Sequence, residues 1–237
     1  MGKLREGTLL GICVHHSVYK PAKNLTELRE QAKLFNGWHK SKSWAETTKT
    51  SGDYPYISYH YLMAQDGSIL QVTDEKYVKY HAGDNFRGDL SFNLHGIAIC
   101  LTGNYENDKP TEAMMRSLVE FIRDVEKRHD INARIRGHKE TSKSYTACPG
   151  ANIGKHDSGW LKQAITNVNN PDYPPEEPCK KYIEQISVLD SKVYNLGKEV
   201  ERLKTVNEGI TEKLAAVERD LSSQLLNLEE AEEREAN

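Results

Sequence analysis

The final quarter of the chain carries an apolar repeat with a period of seven residues, which restricts the fold more strongly than any other feature of the sequence. Steps of alternating four and three residues pass through fourteen positions, of which eleven are aliphatic. Those positions are Tyr182, Ile186, Leu189, Val193, Leu196, Val200, Leu203, Asn207, Ile210, Leu214, Val217, Leu221, Gln224 and Leu228. Such a repeat lines one side of a helix that supercoils with a left hand, so residues 182–228 are predicted to form a coiled coil.

The residue types in this repeat favour a parallel dimer. The early heptads have Ile186, Val193 and Val200 at the first core position and Leu189, Leu196 and Leu203 at the second. β-branched residues at the first position and leucine at the second are typical of two parallel strands, and Asn207 at a first position would fix their register. Leucine at that position in later heptads leaves a trimer or tetramer open. A solvated helix that packs on the rest of its own chain is a further alternative.

A proline-rich segment separates the repeat from the rest of the chain. All eight prolines lie at or before Pro178, and residues 169–178 have the composition of a stiff, extended linker. The chain from Lys180 onward carries nine basic and thirteen acidic residues, whereas the part before it carries 23 and 22. We therefore predict a globular domain over residues 1–168, a linker over 169–178 and a parallel coiled coil over 179–237.

Several classes of protein are excluded or disfavoured by the composition. No apolar run approaches the ~20 residues that span a bilayer, so no membrane span is predicted. The polar N-terminus predicts a protein made in the cytoplasm without a signal peptide. A net charge of −3 argues against nucleic acid as the main partner. The four cysteines are too widely spaced for a disulfide framework, although Cys179, just before the coiled coil, could form a disulfide with its twin in a second chain.

The N-terminal part alternates between strand-like and helix-like segments. Strands are predicted at residues 9–16, 56–64, 68–72, 96–101 and 131–135, and helices at 24–35, 111–129 and 160–168. Asn24 and Thr111 stand where helices begin, and the Gln65-Asp66-Gly67 segment is typical of a hairpin turn. This alternation predicts an α/β domain with a single mixed β-sheet flanked by helices.

Histidine and cysteine stand beside irregular structure in three places. His15 and His16 end the first predicted strand, His138 follows the last one, and Cys148 lies ten residues further on, before Pro149. Zinc takes imidazole and thiolate ligands, and a catalytic zinc site has three protein ligands and an open position. A zinc site is one interpretation of these residues. A small cysteine buried in the core is the other, because the residues do not form a compact motif.

Six segments, in this order, resemble the zinc-dependent N-acetylmuramoyl-L-alanine amidases. They are Ile12-Cys13-Val14-His15-His16-Ser17, Ser58-Tyr59-His60-Tyr61, Asp66-Gly67, Tyr80-His81-Ala82-Gly83, Asn93-Leu94-His95-Gly96-Ile97-Ala98-Ile99, and Gly137-His138-Lys139-Glu140 with Thr146-Ala147-Cys148-Pro149-Gly150. The family includes amidase-type phage lysozymes and the peptidoglycan recognition proteins. The resemblance covers about residues 8–168 and leaves out the coiled coil.

The resemblance implies one zinc ion per chain, with His15, His138 and Cys148 as its ligands. In the pair of adjacent histidines the family places the ligand first, so His16 is expected to pack or to support the site. The family's catalytic tyrosine falls on Tyr59.

Three more positions carry expectations from the same resemblance. His60 and His81 are expected to bind substrate. Thr146 occupies a position where the phage lysozymes have lysine and the recognition-protein amidases have threonine, and it is expected to be catalytic. The group that stabilises the negative charge of the reacting carbonyl stays open between Thr146, His60 and the metal.

The function implied is zinc-dependent hydrolysis of the amide bond between N-acetylmuramic acid and L-alanine in bacterial peptidoglycan. Such a chain would act on the cell wall after release, as a phage endolysin does, and would be a homo-oligomer through residues 182–228. Two other functions remain open. One is a non-catalytic peptidoglycan-binding module that the coiled coil oligomerises. The other is an assembly protein with an amidase-derived head.

Overall fold

The computed structural model describes residues 2–43, 45–83, 91–173 and 199–223. The chain divides into two compact units, residues 1–180 and 181–237. The first seam positions from Tyr182 to Leu196, the last two at Gln224 and Leu228, and Cys179 lie outside the described residues. The prediction of an interchain disulfide and the early part of the heptad repeat therefore stay predictions.

The first unit contains five strands and six helices among its described residues. In chain order these are β1 (Gly11–His16), α1 (Leu25–Lys40), α2 (Ala45–Thr48), β2 (Tyr61–Met63), β3 (Ile69–Gln71), α3 (Phe92–His95), β4 (Gly96–Leu101), α4 (Glu112–His129), β5 (Arg134–Gly137), α5 (His138–Thr141) and α6 (Gly159–Val168). The strands form one sheet in the order β3-β2-β4-β1-β5. Only β3 runs antiparallel to its neighbour. The predicted single mixed sheet flanked by helices is confirmed.

The two faces of the sheet pack against different helices. One face forms the larger core with α4 and α6, and its strand residues are Ile12, Val14, Tyr61, Met63, Ile97, Ile99, Leu101 and Ile135. The other face packs against α1 through residues such as Leu62 and Cys100. Because successive side chains of a strand point to opposite faces, Cys13 and His15 of β1 lie on the α1 side.

The local signals in the sequence set several element ends. The Asn24 side chain accepts hydrogen bonds from the N–H groups of Thr26 and Glu27, at 3.0 and 3.1 Å, and so caps α1. The Thr111 hydroxyl caps α4 in the same way at Met114. In the predicted hairpin, Gly67 has φ +85°, a conformation that favours glycine, and β2 pairs with β3 across it.

The last strand begins later than its apolar pattern predicts. Asp130 ends α4 in the left-handed conformation with φ 51°, and the N–H of Ile131 donates back to the carbonyl of Glu126. This hydrogen bond makes Ile131 part of the helix terminus. Pairing with β1 therefore starts at Arg134 rather than at residue 131.

The described part of the second unit is one helix, α7 (199–223). Seven apolar side chains lie along it at intervals of three and four residues, each 46–58% exposed: Val200, Leu203, Val206, Ile210, Leu214, Val217 and Leu221. Six of them belong to the predicted heptad seam. None of the helices in the described parts of either unit has the length and apolar character that crossing a membrane requires.

Candidate metal centre

Strand β1 carries the first candidate ligand at its carboxyl end. His15 is 1% exposed and faces the α1 side of the sheet. Its neighbour His16 faces the α4 side, where its Nδ1 accepts a hydrogen bond of 3.2 Å from the N–H of Tyr105. The rings of the two adjacent histidines therefore lie in different surroundings, and of the two it is the ring of His15 that points toward Cys148.

A short loop brings the other two candidate ligands beside His15. His138 is the first residue of α5, directly after β5. The N–H of the next residue, Lys139, donates to the carbonyl of Cys148 at 2.7 Å, and the Lys139 ammonium donates to the carbonyl of Gly150 at 3.2 Å. These two bonds hold the Cys148 turn against the start of α5. Because Gly137 has no side chain, Pro149 can pack closely there: a Cβ would lie 2.8 Å from Pro149 Cδ.

The ligand atoms of His15, His138 and Cys148 all lie within 4.8 Å of one another. Cys148 Sγ is 3.6 Å from His15 Nδ1. Zinc held tetrahedrally, with Zn–S of about 2.3 Å and Zn–N of about 2.0–2.1 Å, separates a sulfur and a nitrogen ligand by about 3.6 Å. The ring centroids of His15 and His138 are 4.6 Å apart. This nitrogen, nitrogen and sulfur donor set therefore fits a zinc ion.

Burial sets the charge states of these groups. It lowers the pKa of His15 well below its usual 6.5 and, with a smaller contribution from nearby His16, lowers the pKa of His138 to about 4. Both rings are therefore neutral at pH 7, which is the form that binds a metal. Burial also raises the pKa of the Cys148 thiol to about 12. A cation beside the sulfur favours its thiolate form.

A second donor set in the described residues shares His15 and consists of Cys13, His15 and His81. Its two histidines meet at 3.0 Å, between His15 Nε2 and His81 Nδ1, which is a hydrogen-bond distance. Cys13 is fully buried and its Sγ lies 3.6 Å from the Thr141 hydroxyl. Catalytic zinc keeps one open position for water or substrate. The partly exposed set with His138 and Cys148 offers such access, and the fully enclosed set does not.

Tyr59 lies next to the candidate metal centre. Its ring centroid is 5.1 Å from that of His15 and 5.5 Å from that of His39 on α1. Burial raises the pKa of the Tyr59 phenol well above 10, so the group carries its proton at neutral pH. From the sequence, His39 is expected to be structural, and no local pattern indicates that it approaches Tyr59. Its Nδ1 accepts from the N–H of Ser58 at 3.0 Å.

The remaining predicted site residues differ in their surroundings. Thr146 precedes the ligand cysteine, and its hydroxyl accepts a 3.2 Å hydrogen bond from the N–H of Cys148. His60 is fully buried: its Nδ1 accepts from the N–H of Ala98 at 3.0 Å and its Nε2 lies 2.9 Å from the carbonyl of Tyr77. Both nitrogens of His60 thus face backbone groups, and the Arg5 guanidinium also lies 3.4 Å from Nε2, an arrangement that favours support of the sheet over contact with a substrate.

His81 is 7% exposed and also has a neighbour at each ring nitrogen. Besides the contact with His15, its Nε2 lies 3.1 Å from the carbonyl of Phe92. Of the predicted site residues, the structure therefore brings His15, His138, Cys148, Tyr59 and His81 into one cluster.

Comparison with known proteins bears on the family and the fold of the chain. The model of the N-acetylmuramoyl-L-alanine amidase family matches residues 6–151, more than half of the chain. No curated protein sequence matches. Among solved structures, bumblebee PGRP-SA is 17% identical, with 74% of this chain and 89% of that chain covered and a TM-score of 0.53. Drosophila PGRP-LB is 18% identical, with 73% and 88% covered and a TM-score of 0.52. The N-acetylmuramoyl-L-alanine amidase LysC from Clostridium intestinale URNW is 22% identical, with 70% and 93% covered and a TM-score of 0.49.

Proposed function

Because the chain belongs to the N-acetylmuramoyl-L-alanine amidase family, as its motifs predicted, we propose that it hydrolyses the amide bond between N-acetylmuramic acid and L-alanine in peptidoglycan. The observation that carries this proposal is the convergence of His15, His138 and Cys148 within 4.8 Å, beside the ring of Tyr59. One zinc ion per chain would be held by these three residues.

When bound, zinc supplies Lewis-acid chemistry, polarising the scissile carbonyl and activating water near neutral pH. The chain's own residues complete the site. The protonated Tyr59 phenol can donate a hydrogen bond to the reacting carbonyl or position the water. The Thr146 hydroxyl accepts from the Cys148 N–H and has its own proton to donate, so it can stabilise the negative charge that develops on the carbonyl oxygen.

A recognition module that binds peptidoglycan without cleaving it is the second candidate. Structures of similar fold include an ectodomain complex of the peptidoglycan recognition proteins PGRP-LCa and PGRP-LCx with bound tracheal cytotoxin. The donor set favours the enzyme over this alternative. A protein that only binds its ligand has no need for two histidines and a cysteine at the spacing of a zinc site.

Release of new L-alanine amino termini from purified peptidoglycan tests the proposal directly. The full chain loaded with zinc should release them, a chelator should stop the reaction, and added zinc should restore it. Cys148→Ser should abolish release, whereas Cys13→Ser, the same change in the enclosed donor set, should retain it. Tyr59→Phe should lower the rate while zinc stays bound.

Failure of the zinc-loaded chain to release amino termini would overturn the amidase proposal. If that chain still sedimented with purified cell walls, the recognition function would be established in its place. Full activity of Cys148→Ser would overturn the ligand assignment alone.

We propose also that α7 pairs with a second copy of itself, so that the protein is a parallel dimer. This dimer would act on the bacterial cell wall as an endolysin. The seven apolar side chains of α7 are about half exposed in a single chain, and the spacing of six of them, all except Val206, matches the seam of a two-stranded coil. Glu199 pairs with Arg202 and Glu201 with Lys204 on its polar surface. A long apolar stripe of this kind is stable in water when a second helix covers it.

Sedimentation of the full chain tests this pairing. The wild type should sediment as a dimer. Ile210→Lys on the apolar stripe should produce monomer, whereas Thr205→Lys, off the stripe, should leave the dimer intact. A monomeric wild type would contradict the pairing without bearing on the amidase activity.

A further inference from the structure

The ring nitrogens of His81 and His15 form a hydrogen-bonded chain from a backbone carbonyl to the candidate metal centre. His81 Nε2 lies 3.1 Å from the carbonyl oxygen of Phe92. A carbonyl only accepts, so this nitrogen carries a proton, and in a neutral ring Nδ1 carries none. That Nδ1 lies 3.0 Å from His15 Nε2, which must then be the donor. The protons are thereby placed so that His15 Nδ1, the atom facing Cys148, keeps its lone pair.

The backbone around His81 is itself held in place. The side-chain oxygen of Asn93 accepts from the N–H groups of both His81 and Ala82, each at 2.8 Å. Asn93 is 3% exposed. The carbonyl of Phe92, the residue before Asn93, also accepts a hydrogen bond from the N–H of Gly96 at the end of α3. His81 and the carbonyl that orients it are therefore fixed to the same short segment, so the ring has little freedom to rotate.

We propose that His81 is a positioning residue that holds His15 in the tautomer whose Nδ1 binds the metal. The proposal rests on the zinc site of the proposed function and gives His81 a role other than contact with substrate. Metal-binding histidines usually donate their second N–H to a carboxylate, a carbonyl or water, and loss of that partner costs about 10–100-fold in metal affinity or activity. Here the partner is a second buried histidine, whose own tautomer is set by a carbonyl.

Zinc affinity of the full chain, measured by competition with a chromophoric chelator, gives the first test. His81→Leu removes the acceptor and should weaken zinc binding by about 10–100-fold. His81→Asn keeps an acceptor oxygen near the position of Nδ1 and should retain most of the affinity. His95→Leu is the matched control, because His95 lies before β4 and contacts the carbonyl of Thr8 instead. Its zinc affinity should equal that of the wild type.

The tautomer of His15 gives a second test that needs neither zinc nor substrate. Nitrogen NMR of the metal-free chain, labelled at histidine, should show His15 protonated at Nε2 in the wild type and in His81→Asn. In His81→Leu the ring should populate the other tautomer. A merely structural role of His81 would change stability without changing which nitrogen carries the proton.

The possible outcomes separate this inference from the proposed function. Protonation of His15 at Nδ1 in the wild type overturns it, and this measurement decides the matter even if His81→Leu does not fold. Unchanged zinc affinity in a folded His81→Leu also overturns it, and a raised KM would then assign His81 to substrate. If Cys13→Ser instead loses its zinc, the metal is held by the donor set of Cys13, His15 and His81, and His81 is a ligand. If the tautomer and affinities behave as expected but no amino termini are released, the amidase proposal fails and the role of His81 stands.

Discussion

Replacement of Lys79 by methionine should change how the stability of the first unit depends on pH. Lys79 is fully buried. Its ammonium donates to the carbonyl of Pro55 at 3.3 Å and to the hydroxyl of Thr50 at 3.4 Å, and both hydrogen bonds are long. Burial lowers the pKa of Lys79 from 10.5 to about 8. The folded protein therefore holds this proton less tightly than the unfolded chain does.

The sign of the effect follows from proton counting. Below pH 8 both states are protonated, and between pH 8 and 10.5 the unfolded chain binds more protons, so folding becomes more favourable as the pH rises. A shift from 10.5 to about 8 corresponds to about 3 kcal/mol in the free energy of unfolding. Roughly 1 kcal/mol of this should be gained by pH 9, and the rest by about pH 10.5.

Methionine has a similar volume and no charge, so the variant lacks this contribution at every pH. Loss of the interactions of the ammonium, among them the hydrogen bonds to Thr50 and Pro55, changes the difference in free energy of unfolding between the two proteins by a constant. The other titrating groups are common to both proteins. The free energy of unfolding of the wild type minus that of the variant should therefore rise by about 3 kcal/mol between pH 7 and 10.5.

Denaturant unfolding followed by tryptophan fluorescence measures this difference. Trp38, Trp44 and Trp160 all precede residue 181, so the signal reports on the first unit. Lys109→Met, at an exposed position, is the control and should follow the wild type at each pH. Parallel curves for the wild type and Lys79→Met from pH 7 to 10.5 would refute the argument from burial.

Three further substitutions test the frame of the metal centre and the C-terminal helix. Glu140→Gln weakens the hydrogen bonds between the carboxylate and His156, one of which comes from the backbone N–H of His156 at 3.0 Å. It should lower the free energy of unfolding by about 1–3 kcal/mol, measured by thermal unfolding, and an unchanged melting temperature would contradict this. Gly150 has φ +103°, and Gly150→Ala would place a Cβ 2.4 Å from the backbone carbonyl carbon of Tyr105. Zinc affinity should therefore fall at least tenfold, whereas wild-type affinity would show that the turn adapts. Asn207→Val should raise the thermal stability of the assembly and admit larger oligomers, as sedimentation would detect.

The sequence predicts those parts of the fold that depend on local chemistry. The side chains that cap α1 and α4, the glycine of the hairpin turn and the apolar run of β4 are each read from a few neighbouring residues, and all four are confirmed. The family resemblance likewise identifies the residues that meet at the candidate metal centre. Each of these features is specified by a short sequence pattern.

Long-range contacts account for what the sequence does not reveal. The buried ammonium of Lys79 has hydrogen-bond partners at Thr50 and Pro55, which are 29 and 24 residues away. The orientation of His81 depends on a carbonyl 11 residues further along the chain and on His15, 66 residues before it. A lysine or a histidine has the same sequence neighbours whether its nitrogen faces water or a buried acceptor, so no local pattern distinguishes these cases.

The choice between His15 and His16 shows how the fold resolves an ambiguity that the strand pattern leaves open. Adjacent strand residues face opposite sides, so a slip of β1 by one residue would exchange the two rings. Gly11 opposes such a slip. It pairs with Arg134 on one side and Gly96 on the other, and a Cβ there would lie 2.6 Å from the Arg134 carbonyl. Because a slip would bring a leucine or an isoleucine to this position, the glycine fixes the register in which His15 faces the candidate metal centre.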